Sequence, residues 1–189
     1  MRRTATVAAA FGFGGVLALL LLFGPGLQRV APVTVTPKQA AWIETKWPFL
    51  MDQWGEGKAF QCKAADCGVE LNLYIRPKVG FCSSTTGVAD DAELERLSDF
   101  DFMNGDTVAL GDGHDISIAW MRGRIRAYAI AKPNRSRISA ITVAFNNNSD
   151  ALVATVVVND AQPTAVESVV IEFLNGQTIQ RWVTLALGL

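Results

Sequence analysis

Three cysteines, Cys62, Cys67 and Cys82, and one histidine, His114, are the residues of this 189-residue chain best suited to nucleophilic chemistry. A histidine beside a thiol takes its proton and leaves the reactive thiolate. None of the cysteines sits in a recognisable nucleophile motif, and there is no second histidine. Zinc fits poorly as well, because three cysteines and one distant histidine lack a regular ligand spacing. His114 lies in Gly111-Asp112-Gly113-His114-Asp115, which reads as turn chemistry ahead of a strand. Cys62 and Cys67 enclose only Lys63-Ala64-Ala65-Asp66, a loop short enough for a local bridge. These two are the disulfide candidates. No catalytic, cofactor-binding or metal-binding residue is assigned, and no cofactor is implied.

Charge is unevenly placed. Nine carboxylates lie between Asp90 and Asp115 with Arg96 as the single lysine or arginine, and six bases lie between Arg122 and Arg137 with no acid. Asp99, Asp101 and Asn104-Gly105 resemble part of a calcium loop, but the glycine is one place late and no closing glutamate follows. The two runs are therefore expected to be solvated surfaces that face each other or water. Trp42, Trp47 and Trp54 are expected in the core rather than at a lipid interface, since large aromatics bury large areas. The net charge of -1 gives no pull toward nucleic acid.

The elements that must position these residues follow from local pattern. Thr36-Pro37-Lys38-Gln39 has the form of a helix start, and that helix should end by Trp47, ahead of Pro48. Lys58 to Cys62 is a short strand. Val69, Leu71, Leu73 and Ile75 alternate with polar residues, the period of a half-buried strand. Pro77-Lys78 is read as a turn, with Val79 to Cys82 returning. That hairpin would set Cys82 opposite Leu73 as a buried thiol of low reactivity. Asp90 to Leu97 is a short acidic helix. Ile116, Ile118 and Trp120 form one strand and Ile125, Ala127 and Ala129 the next, around a turn at Arg122-Gly123. Trp120 then faces Ile125 in the core while Arg124 and Arg126 point away. Arg137 to Phe145 and Ala151 to Val158 form a second hairpin, whose second strand is apolar on both sides and hence central. Thr164-Ala165-Val166-Glu167 resembles a capping box for a helix with Val166, Val169, Val170 and Phe173 on one stripe, ending at Gly176. Ile179 to Leu187 reads as a last strand. The predicted fold class is α+β, a mostly antiparallel sheet with helices on one face.

No charge occurs from Thr4 to Gln28, Arg2 and Arg3 precede that stretch, and Val16 to Phe23 is densely apolar. A bilayer core takes about 20 apolar residues, so the segment is long enough to span it. Ending a signal peptide at Ala31 would put Arg29 in a position that demands a small residue, and Gly24-Pro25-Gly26 is a poor cleavage site. The segment is therefore expected to stay as an anchor, with a removed signal peptide as the alternative. The arginines should remain in the cytosol. Ala10, Gly14 and Ala18 form a small-residue stripe, more simply read as leader composition than as a pairing face. The expected organisation is 1–28 anchor or signal peptide, 29–35 linker, and 36–189 exported α+β domain. This places the domain in the periplasm, held at the inner membrane by a single pass, or free in the periplasm if the leader is removed.

Trp47-Pro48-Phe49, Asp52-Gln53-Trp54-Gly55, Phe60-Gln61-Cys62 to Cys67-Gly68, Gly80-Phe81-Cys82 with Thr85-Thr86-Gly87, and Arg181-Trp182 to Leu189 together resemble a family of uncharacterised exported or membrane-anchored alphaproteobacterial proteins. The resemblance spans the exported part and carries no assigned activity. It implies a Cys-x-Cys near Cys82 in relatives, where this chain has Ser84, and so a structural role for the cysteines. The expected function is a non-enzymatic accessory or binding domain of the cell envelope, with the membrane as one partner and an envelope protein as another, and no nucleic acid. The alternative is an envelope enzyme using a cysteine thiol with His114.

Overall fold

The structure is a computed structural model that describes residues 40–81, 86–133, 137–159 and 161–189. The described residues belong to one compact unit. Eight antiparallel strands make one sheet: β1 (Trp42–Thr45), β2 (Lys58–Cys62), β3 (Leu71–Lys78), β4 (Asp106–Ala109), β5 (His114–Ile118), β6 (Met121–Ala131), β7 (Arg137–Asn147) and β8 (Asp150–Val158). Their order is β1-β2-β3-β8-β7-β6-β4, and β5 also pairs β6. Among the described residues, four α-helices accompany the sheet: α1 (Ala64–Cys67), α2 (Asp91–Leu97), α3 (Glu167–Asn175) and α4 (Gln177–Ala186). The α+β class and the antiparallel sheet are as expected. β8 lies between β3 and β7, the central place its two-sided apolar pattern requires.

Helices on one face only is not what the sheet carries. Leu73, Ile75, Val143, Phe145, Leu152 and Val156 pack with Val170 and Leu174 of α3 and Ile179 and Val183 of α4. The opposite face, including Ala144 and Val153, is covered by Leu94 and Leu97 of α2. Beside that patch, Ala140 and Ile130 meet Met103 of a 3-10 turn, Phe100–Met103. A central strand apolar on both sides cannot leave either face wet.

Four elements differ from the sequence-based expectation. The segment before Trp47 is strand β1, not helix, over its described residues; it pairs the free edge of β2 with Trp42 opposite Cys62, and Trp42 stacks on Phe173 at 4.5 Å. An aromatic, β-branched run beside an open edge favours pairing over helix. The cap signal at Thr36–Gln39 lies outside the described residues. β3 continues through Pro77 and Lys78, and the chain turns at Val79-Gly80. Pro77 lies past Ile75, where pairing with β2 ends, so that stretch has β8 alone as neighbour and tolerates the missing N–H. With both sides of β3 taken by β2 and β8, no returning strand pairs with it. Cys82 itself lies outside the described residues. The last element is helix α4, not a strand. Ile179, Val183 and Leu187 recur every fourth residue and are buried, whereas Leu185, which a strand would place on the same side, is 80% exposed. Finally, Thr164 makes no capping bond; Pro163–Ala165 is a 3-10 turn and α3 begins at Glu167. Gly176 does end α3.

The β5–β6 hairpin exists in a different register. Its turn is Ala119-Trp120, with Ala119 at φ 52°, and Ile118 pairs Met121 while His114 pairs Ile125. Trp120 is therefore at the tip and 58% exposed. Gly123 is a packing glycine inside β6, not a turn residue: a Cβ there would lie 2.3 Å from the Ala144 carbonyl oxygen. Arg124 and Arg126 do lie on the sheet face opposite Ile125.

Three substitutions test the hairpin register and the C-terminal helix in urea unfolding. Trp120→Ala and Leu185→Ala should each shift stability by no more than about 0.5 kcal/mol, as surface changes do. Ile179→Ala should cost about 2–5 kcal/mol. Equal losses at Ile179 and Leu185 would restore the strand reading of the C-terminus.

Candidate functional site

β3 alternates along its length, and its Asn72, Tyr74, Arg76 and Lys78 side has the pattern of a wet strand face. Arg76 and Lys78 are nevertheless 3% and 5% exposed. Two stretches of chain cover them. The first follows β1, where Trp47, Phe49, Tyr74 and Phe102 form a cluster with Phe49 stacked on Phe102 at 4.5 Å and Trp47 edge-on to Tyr74 at 6.3 Å. The second is the connection from α2 into the 3-10 turn, which brings in Asp99.

Asp99 meets both cations. Arg76 donates from Nε to Asp99 Oδ2 at 2.9 Å and from Nη2 to Oδ1 at 2.6 Å, a two-pronged contact matched to the shape of a carboxylate. Its Nη1 reaches Asp52 Oδ1 at 2.7 Å, and its guanidinium lies over the Phe102 ring at 4.4 Å. Lys78 Nζ is 2.9 Å from Asp99 Oδ1 and donates to the Leu97 carbonyl at 2.6 Å. Burial works against the charged Arg76 guanidinium, but the hydrogen bonds and charges of Asp99 and Asp52 outweigh it and raise its pKa. For Asp52, desolvation is the largest single influence and opposes ionisation, but the bonds from Arg76 and the Trp54 N–H and the charges of Arg76 and Lys78 together overcome it and lower its pKa.

Beside this cluster is a cavity of about 240 Å³ lined by Trp54, Lys78, Phe81, Arg96, Asp52 and Asp101 among others. The Trp54 and Phe81 rings meet edge to face at 5.0 Å, and Lys78 Nζ sits 5.9 and 5.7 Å from their centres. Arg96 stacks over Phe81 at 4.2 Å and donates to the Phe81 carbonyl and to Glu93. Sequence reasoning missed this site. The signal available was the polar alternation of β3 running on through Pro77 to Lys78, next to an unusual density of aromatics from Trp47 to Trp54.

The residues singled out from sequence fall elsewhere. Cys62 and Cys67 form a disulfide that joins the end of β2 to α1. His114, 58% exposed at its side chain, places Nε2 2.7 Å from Glu167 Oε1. A thiol–imidazole pair has no partner in Cys62 or Cys67, which are bonded to each other, and Cys82 is outside the described residues. The acidic and basic runs face each other across α2 and β6. Arg124 bonds Asp91 through Nε, Asp115 through Nη1 and the Gly113 carbonyl through Nη2; Arg126 reaches Glu95 at 2.8 Å and the Gly111 carbonyl at 2.7 Å. Gly113 donates its N–H to Asp91 at 3.0 Å. Trp47 is buried, and Trp42 and Trp54 are partly so, in line with the core reading. Among the described residues, no group of three or more His, Cys, Asp or Glu is arranged to hold a metal ion, and no helix is long and apolar enough to cross a membrane.

No family model and no curated protein matches the chain. A crystal structure of a protein of unknown function from Pseudomonas aeruginosa, PA94, is similar over 72% of this chain and 81% of its own, at 12% identity and a TM-score of 0.39. That likeness is too slight to bear on the site.

Asp99 balances two buried cations, so its loss should be severe. Asp99→Ala should cost about 3–5 kcal/mol, since it leaves uncompensated charge in the interior. The Asp52 pKa is lower in the fold than its ordinary 3.8, so its contribution is present above that value and is lost as pH falls below it. Denaturant midpoints should therefore drop below about pH 4, and Asp52→Asn should flatten part of that drop.

Proposed function

We propose that the chain is a non-enzymatic accessory or binding domain of the cell envelope, held at the outer face of the inner membrane by its N-terminal segment. The observation that carries this reading is the Cys62–Cys67 disulfide. Disulfides persist where surroundings are oxidising, and in a reducing cytosol such a pair stays as thiols. The charge-free stretch from Thr4 to Gln28 behind Arg2 and Arg3 supplies the means of export and, if retained, the tether. The motif resemblance to uncharacterised exported alphaproteobacterial proteins supports the same compartment.

The binding role rests on how the ionisable groups are spent. Arg76, Lys78, Arg124 and Arg126 hold the covering segments to the sheet, and His114 is engaged by Glu167. These are fastening contacts. The cavity beside Lys78, walled by aromatic rings and charge, is a place where a ligand fits.

Protease added to spheroplasts should remove the domain while cytosolic markers survive, and carbonate washing should leave the full-length chain in the membrane. Protection of the domain behind an intact inner membrane would overturn the topology. Release into the soluble periplasm would replace the anchor with a cleaved leader. Non-reducing peptide mapping should recover Cys62 and Cys67 in one linked peptide, and the bridge should contribute about 2 kcal/mol by closing so short a loop.

A further inference from the structure

We infer that the cavity beside Lys78 binds a small zwitterion of the α-amino acid class, its carboxylate at Lys78 and its ammonium at Asp52 and Asp101. This names the ligand of the binding-domain reading and rests on it.

The chemistry of the walls selects the ligand. An ammonium has three donors. Lys78 gives one to Asp99 and one to the Leu97 carbonyl, and no other partner for it occurs among the described residues. Lys78 lines the cavity, and its Nζ lies beside the contacting Trp54 and Phe81 rings. The inner wall thus offers a buried donor with positive charge, and a carboxylate entering there gains a charge-assisted hydrogen bond.

The rim has the opposite character. Asp52 spends Oδ1 on Arg76 and on the Trp54 N–H, and Oδ2 has no partner among the described residues. Asp101, on the 3-10 turn, is exposed and likewise unpaired among them. Both carboxylates line the same cavity as Lys78.

Net charge then excludes simple ions. Arg76, Lys78 and Arg96 are balanced by Asp52, Asp99 and Asp101, so the lining carries no net charge. A free anion would find its attraction to Lys78 offset by the rim, and a free cation the reverse. A molecule with both charges a few bonds apart matches the inner wall and the rim together. The volume of about 240 Å³ falls below the usual range for drug-sized ligands, about 300–1,000 Å³, and so calls for a small solute.

Trp54 lies on the wall and serves as a built-in reporter. Full-length protein in a mild non-ionic detergent is titrated with glycine, L-alanine and L-serine, and with acetate and methylammonium as half-ligands, by tryptophan fluorescence and calorimetry. The amino acids should give a saturable response, and each half-ligand should bind at least about tenfold more weakly. Trp54→Phe should remove the fluorescence change. Asp101→Asn, at an exposed side chain that holds nothing in place, should leave the fold intact and weaken amino acid binding about tenfold. Absence of saturation by about 10 mM, acetate binding as tightly as glycine, or unchanged affinity in Asp101→Asn would each overturn the inference. Binding is read on purified protein and compartment on spheroplasts, so failure of one leaves the other standing.

Discussion

β8 is apolar on both sides, and the rest of the molecule is arranged around that constraint. A strand of this kind can only sit inside a sheet, between two other strands, with both faces of the sheet covered. On one face the cover is regular: α3 and α4 lay down Val170, Leu174, Ile179 and Val183 over Leu73, Val143, Phe145 and Val156. The helices are short and follow each other directly, with Gly176 between them.

The other face has no comparable pair of helices. One short helix, a 3-10 turn and the stretch after β1 do the covering, and they bring polar backbone and charged side chains with them. Such segments cannot lie on a sheet through apolar contact alone. Arg76 and Lys78 reach up from β3 and grip them through Asp99, Asp52 and the Leu97 carbonyl. Buried ion pairs add little net stability compared with apolar packing, but they are costly to break and fix one arrangement over others. The cavity is a by-product of this solution: irregular cover over a charged strand leaves a gap lined by ions and rings.

The same logic holds α2 at the far side of that face. Asp91 and Glu95 on the helix are met by Arg124 and Arg126 on β6, which also take the carbonyls of Gly113 and Gly111. The Gly-Asp-Gly break between β4 and β5 is thereby held at its two ends, and the strands continue along the same edge of β6 on either side of it. His114, just after the break, faces Glu167 at the start of α3, so this edge is also tied toward the opposite layer.

Much of the scaffold was legible in the sequence alone. The β7–β8 hairpin, the centrality of β8, the strand Lys58–Cys62, the acidic helix α2 and the Cys62–Cys67 bridge follow from periodicity, composition and spacing, all of which are read from near neighbours. Tertiary structure decided whatever depended on a distant partner. Ile179 to Leu187 fits a strand period, broken at Arg181, as well as a helix period, and the sheet face it packs on beside α3 is covered by the helix. Gly123 could have turned the chain, but the close approach of β7 uses it for packing, which moves the turn to Ala119-Trp120. Arg76 and Lys78 carry the same alternating pattern whether their side of β3 is wet or buried. Period reports that a face is polar; it cannot report that loops 20 or more residues away in sequence will close over it with the carboxylates that make burial tolerable.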